Sequence, residues 1–348
     1  MRDLANSIQV FSTCPQSKDF TAADYLDQVK RVSRWSDDAG CTGMLIYTDN
    51  SIVDPWLLAQ LVLGCTRTLS PLVAVQPVYM LPYSAAKMVG SLGFLHGRRI
   101  WLNMLAGGFR NDLIALADET AHDDRYARTI EYTLVMRRLL ETNEALTFDG
   151  RFYQVRGARM TPALPPELVP GFLISGSSPA GRAAAVAIGA TAVEYPTPAG
   201  TQKPGGETEA APPTRGIRIG IMAREDSDEA WRAAYARFPD DRRGRLAHAL
   251  AMKTSDSSWH RTLSAIARER PADGSPYWLW PFEHHQTFCP YLVGDFVTVA
   301  SEIARYLDIG YSSFILDIPT EPSDLENAVT VFRMAVELSR NQIMCDTG

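Results

Sequence analysis

The sequence has no Cys-x-x-Cys pair, no run of 18 uncharged apolar residues and no surplus of positive charge, and each absence removes a class of protein. The five cysteines, Cys14, Cys41, Cys65, Cys289 and Cys345, are odd in number and scattered, which argues against a disulfide framework or a zinc site and for reduced thiols. Without a long apolar run nothing spans a bilayer as a helix. A formal net charge of -6 argues against nucleic acid, whose phosphates ask for a basic face. The first residues, Met1-Arg2-Asp3-Leu4, lack an apolar core followed by a small-residue cleavage site, so the expectation is a cytoplasmic protein.

What is present is the balance of an ordinary globular chain, 46% apolar and 21% charged over 348 residues, enough for one large barrel with insertions. The dominant signal is alternation of short β-branched runs with longer amphipathic ones. Strands are expected at Ile8–Ser12, Gly43–Thr48, Pro71–Val78, Arg99–Leu105, Gly171–Ser177, Thr191–Pro196, Gly216–Arg224 and Ser312–Ile318. Helices are expected at Ala22 to about Asp38, through Trp56–Leu61, and at Tyr83–Leu95, Tyr126–Thr142, Pro179–Gly189, Asp228–Phe238, Phe296–Leu307 and Leu325–Asn341. His96-Gly97 reads as a glycine stop. Eight strand-helix units with right-handed crossovers predict an α/β fold, a closed (β/α)8 TIM barrel in a single domain spanning 1–348.

Three segments interrupt the alternation. Ala145–Gly157 alternates on either side of Asp149-Gly150 and predicts a tight β-hairpin. Tyr195–Thr214 is rich in Pro, Gly and Thr and reads as a mobile loop. The stretch 239–290 carries Trp259, Trp278, Trp280, His260, His284 and His285, and its length and aromatic content predict a lid before the last barrel unit.

Five segments in order, GRRIWLNMLAGG at 97–108, HDDRY at 122–126, TFDGRFYQV at 147–155, SGSSPAGRAAA at 175–185 and RIGIMAREDSDEAW at 218–231, resemble the bacterial luciferase-like flavin monooxygenases, in particular the alkanesulfonate monooxygenases. The resemblance extends over about residues 8–330. It implies an FMN enzyme in which a separate flavin reductase supplies reduced FMN and a flavin peroxide carries oxygen to a small organic substrate by hydroxylation, Baeyer–Villiger insertion or C–S cleavage. A homodimer or homotetramer is expected, with no metal.

The residues agree. Gly176, Ser177 and Ser178 put hydroxyls and backbone amides between a strand and a helix, a setting suited to a phosphate; helix capping by the serines is the alternative. Tyr126, by resemblance, adds its hydroxyl to that phosphate. Asn103 and Ala106, with Gly107 and Gly108, are implied at the flavin ring; structural roles remain open for each.

Arg218 stands where the sulfonate enzymes keep a catalytic arginine. If it acts there, Arg218→Ala should spare folding and FMN affinity while turnover collapses; a rim salt bridge is the competing account. Their second arginine aligns with His285, read as a candidate acid or base, and their site histidine with Gly220. Their cysteine aligns with Ile52 and their first-strand histidine lies near Cys14. So much lost polarity argues against a sulfonate and for a larger or less charged substrate, with Tyr47, Trp56, Tyr195 and the insertion tryptophans as candidate walls. A deazaflavin-dependent oxidoreductase on the same barrel and a non-catalytic flavin-binding protein are the alternatives.

Overall fold

Runs rich in Val, Ile and Leu form strands buried along their length, as strands covered on both faces must be. The computed structural model describes all residues except 5–6, 108–109, 202–213, 247, 249–257, 268–273 and 347–348. In chain order come β1 (Gln9–Thr13), α1 (Ala22–Asp38), β2 (Gly43–Ile46), α2 (Pro55–Cys65), β3 (Ser70–Val75), α3 (Pro82–His96), β4 (Trp101–Met104), α4 (Arg110–Ala115) and α5 (His122–Glu141). Then follow the hairpin strands β5 (Leu146–Asp149) and β6 (Gln154–Ala158), β7 (Gly171–Ser175), α6 (Pro179–Ile188), β8 (Thr191–Glu194), β9 (Thr214–Arg224) and α7 (Ser227–Arg237). The last part holds α8 (Ser258–Ala267), β10 (Tyr277–Trp278), α9 (Trp280–Glu283), β11 (Tyr291–Asp295), α10 (Phe296–Asp308), β12 (Tyr311–Leu316) and α11 (Pro322–Asp346).

The main sheet runs β9-β12-β1-β2-β3-β4-β7-β8 and closes through a β8–β9 pairing. That is the eight-stranded parallel barrel expected from the alternation. β11 adds in parallel to the upper half of β9, and β10 pairs antiparallel with β11. Local sequence fixes the ends of several helices. Asp54 accepts the Trp56 N–H ahead of α2, Asp295 accepts the Thr298 N–H ahead of α10, and α3 stops at Gly97 with φ 61°.

Two compact units divide the chain. One, residues 14–37 and 43–192, holds β2–β7 and the hairpin. Its hairpin loop is longer than the Asp149-Gly150 signal predicts: Asp149 pairs with Gln154, and Gly150–Tyr153 form the turn. The reason lies on α5, where the Glu131 carboxylate accepts the N–H groups of Arg151, Phe152 and Tyr153. A tertiary acceptor for three amides outweighs the local preference for a two-residue turn.

The other unit comprises residues 1–13, 38–42 and 193–348. Tyr195–Thr201, expected as the start of a mobile loop, is packed instead: Tyr277 and Tyr306 donate to the carbonyls of Pro196 and Thr197, and Glu302 accepts the Ala199 N–H. The remainder of that stretch, 202–213, lies outside the described residues, and β8 is followed among the described residues by a single short 3-10 turn. The expected lid is also partly core. Trp278 and Trp280 pack with Trp231, Phe238, Cys289 and Tyr291. The Trp259 and His260 side chains lie outside the described residues.

Candidate active site

Strands β3, β4 and β7 carry polar side chains at their carboxyl ends, the end where barrels of this type build their sites. Asn103 on β4 is buried and pairs in register with Ala74 on β3 and Leu173 on β7. Residues paired across parallel strands share a face, and positions two apart on a strand share it too. Gln76, just past β3, and Ser175, closing β7, therefore lie on Asn103's face. Ser175 Oγ donates to Asn103 Oδ1 at 3.0 Å. Gln76 is only 7% exposed, and its Nε2 has no hydrogen-bond partner among the described residues. A buried amide donor is costly without an acceptor. Gln76 is a candidate site residue that the sequence alone does not show, hidden in a run that reads as plain apolar strand.

The turn from β7 into α6 gathers the expected phosphate residues. A Cβ on Gly176 would collide with the Tyr126 hydroxyl, so glycine is what lets that tyrosine, reaching over from α5, close on the turn. Ser178 caps α6, its Oγ accepting the Gly181 N–H at 3.1 Å. The capping alternative thus holds for this residue, and the same hydroxyl lies within hydrogen-bond reach of Tyr126. Burial raises the Tyr126 phenol above its ordinary range, against the lowering effect of Ser178. The group stays protonated and able to donate at neutral pH. Arg182, one turn into α6 and within the SGSSPAGRAAA segment, donates to the Ser177 carbonyl at 2.6 Å and brings a cation to the same turn. Ala106 is buried beyond β4 and Gly107 turns with φ 98°; Gly108 is outside the described residues.

The other unit holds Arg218. Register pairs Arg218 with Ile315 of β12 and Gly220 with Tyr291 of β11. By alternation Arg218, Gly220, Tyr291 and Asp317 share one face. Arg218 Nη2 lies 3.6 Å from Asp317 Oδ1, with side chains 7% and 11% exposed, and Nη1 donates to the Tyr195 hydroxyl at 3.4 Å. Thr287 and Tyr291 donate to Asp317 Oδ2 at 2.6 and 2.8 Å. Burial first, and then the Asp317 carboxylate, push the Tyr291 phenol well up, so it remains a donor. Burial likewise raises the Cys289 thiol to about 12, which excludes a resting thiolate there.

Gly220 has a direct explanation: a Cβ there would fall inside the Tyr291 ring. Gly220 is therefore coupled to an aromatic laid across the strand.

His285, the expected acid or base, is exposed, with φ 55° and its ring edge against Phe288. His284 is the buried member of the pair. It stacks on Trp280 at 4.1 Å and has Nε2 3.1 Å from Asp240 Oδ1. Cys14 is buried, and desolvation raises its thiol to about 12. Of the remaining candidate walls, Trp56 is buried and Tyr47 half-buried. No cluster of three or more His, Cys, Asp or Glu residues fit for a metal ion occurs among the described residues. No described helix is long and apolar enough to cross a membrane.

Comparison with known proteins agrees with the barrel fold. A family model described as luciferase-like monooxygenase matches residues 7–313. A monooxygenase of Niallia circulans, named for 4-(gamma-L-glutamylamino)butanoyl-[BtrI acyl-carrier protein], is 31% identical over 316 residues, covering 89% of this chain and 92% of that protein. Among solved structures, long-chain alkane monooxygenase superposes with a TM-score of 0.69 at 15% identity, covering 97% of this chain and 92% of that one. An F420-dependent secondary alcohol dehydrogenase superposes at 0.64 with 15% identity, covering 94% and 99%. These last two show a common fold and no more. The extent of the family match and the level of identity to the Niallia enzyme lead to one conclusion: this chain belongs to the luciferase-like monooxygenase family.

Proposed function

We propose that this chain uses reduced FMN, supplied by a separate flavin reductase, to insert oxygen from O2 into an organic substrate. The observation that carries the reading is the β7–α6 turn, where Gly176 admits the Tyr126 hydroxyl beside Ser177, Ser178 and Arg182. Neutral hydroxyl donors, a guanidinium and a helix amino end together suit a phosphate monoester. The orphaned Gln76 amide, on the same face as Asn103, suits the polar edge of a flat heterocycle. When bound, the flavin supplies the activation of O2 that no side chain provides. The chain's own residues hold the phosphate, orient the ring through Asn103, Gln76 and the backbone at Ala106, and offer Arg218 as a donor where negative charge develops.

The substrate class proposed is an acyl group borne on an acyl-carrier protein, as the name of the Niallia relative states for that enzyme. An arginine already matched by a carboxylate fits the neutral thioester end of such an acyl chain better than a sulfonate. The test is turnover with an NADH-driven flavin reductase, FMN, isotopically labelled O2 and a panel of acyl-carrier thioesters. One labelled oxygen in the product is expected. Turnover with reduced F420 without O2, and none with reduced FMN, would instead support the deazaflavin reading.

A further inference from the structure

The charge balance around Arg218 carries more than its position does. Among the described residues, the buried cluster at the ends of β9 and β12 contains two cations and two anions. Arg218 faces Asp317, and Arg237 is bonded to Asp324 at 3.0 Å. The other polar members, Tyr195, Thr287, Cys289 and Tyr291, are neutral groups, and burial raises both phenols and the thiol further from ionisation. Asp317 is held in place because its Oδ2 takes two hydroxyl donors, from Thr287 and Tyr291, leaving Oδ1 toward the guanidinium. Each cation therefore has its counter-charge before any ligand arrives. An anionic ligand at Arg218 would have to approach a carboxylate already in place, in a setting with little water to screen the repulsion.

We infer that Asp317 sets the charge specificity of the site: by compensating Arg218 it excludes substrates with an anionic reacting end and admits neutral ones. This rests on Arg218 belonging to the reaction site, and Asp317 acts through Arg218 rather than on substrate. The signal was invisible in the sequence, where Asp317 follows an apolar run and stands far from Arg218. Paired in this way, Arg218 remains a directional donor while adding no net positive charge.

The test uses two nearly isosteric probes, methanesulfonate and dimethyl sulfone, titrated into the native protein without flavin and followed by calorimetry. The native protein should show no preference for the anion. Asp317→Ala, which opens a carboxylate-sized space beside Arg218, should bind methanesulfonate at least about tenfold tighter than the native protein does. The gain should vanish in the double variant Arg218→Gln/Asp317→Ala. A merely structural aspartate would lower the melting temperature without creating anion selectivity. A folded Asp317→Ala protein that gains no methanesulfonate affinity overturns the inference. So does a native protein that prefers methanesulfonate tenfold and loses that preference in Arg218→Gln, an arm that stands even if Asp317→Ala fails to fold. FMN affinity, measured on the same samples, is a separate readout. If methanesulfonate behaves as expected while FMN does not bind, the flavin reading fails and the charge assignment stands.

Discussion

At the scale of single residues, the phosphate turn and the Arg218 cluster behave differently under substitution. In the phosphate turn, Ser177→Ala removes a hydroxyl without removing the cap that Ser178 provides to Gly181. It should weaken FMN by about 1.5–3 kcal/mol, the worth of a hydrogen bond to a charged group, and leave riboflavin affinity unchanged, as read by fluorescence titration of both. Ser178→Ala should also cost helix stability, about 1 kcal/mol for a lost cap. At Arg218 the ion pair with Asp317 alters what the sequence alone implies. Arg218→Ala should reduce turnover roughly 100-fold, as loss of a preorganised donor does. It will not spare folding, because Asp317 is left as a buried carboxylate without its cation, at a cost of about 3–5 kcal/mol. Urea unfolding beside turnover separates the two effects. Gly220→Ala tests the packing of Tyr291 over β9: overpacking of about 1–3 kcal/mol is expected, and a neutral effect would show that the ring moves easily.

At the scale of elements, α5 organises one unit through two buried or half-buried carboxylate contacts. Glu131 accepts three amides of the hairpin loop. Glu131→Ala should accelerate hydrogen exchange at Arg151, Phe152 and Tyr153 while exchange in β7 stays unchanged. Ahead of the helix, Asp118 is held to Arg128 at 2.6 Å. Burial pushes its carboxyl up, but hydrogen bonds from Arg128 and Thr120 more than offset that and bring it to about 2. A group with a depressed folded value stabilises the protein above its unfolded value and loses that contribution as pH falls toward the folded one. The contribution, roughly 2 kcal/mol, is thus full at neutral pH and fades between about pH 4 and 2. Comparing acid-limb stability of the native protein with Asp118→Asn checks it: the variant should be the less stable near pH 6, and the difference should shrink below pH 4.

At the scale of the whole molecule, the barrel was legible because βα alternation is written in hydrophobic period and punctuated by residues such as Gly97. Strand and helix type come from local pattern, so those expectations and the observed elements agree to within a few residues. The site was legible only where local sequence carries it, as in the Ser175–Ser178 turn. Residues that acquire meaning from a partner distant in the chain were not. Asp317 needs Arg218, Gly220 needs Tyr291, and the orphaned Gln76 amide needs the face shared with Asn103 to be noticed. Composition also misled where tertiary contacts intervene. Tyr195–Thr201 looks like loop and is pinned by Tyr277, Tyr306 and Glu302, and Trp278 and Trp280, read as lid, pack in a core cluster.

The β7–α6 turn is proposed to bind the phosphate of a flavin mononucleotide. Anaerobic titration of the native protein with reduced FMN, reduced riboflavin and reduced F420 tests it most directly. The account predicts that reduced FMN binds at least tenfold tighter than reduced riboflavin, since one charge-assisted hydrogen bond of about 1.5–3 kcal/mol already supplies that ratio, and tighter than F420. Equal affinity for FMN and riboflavin, or a clear preference for F420, would contradict it.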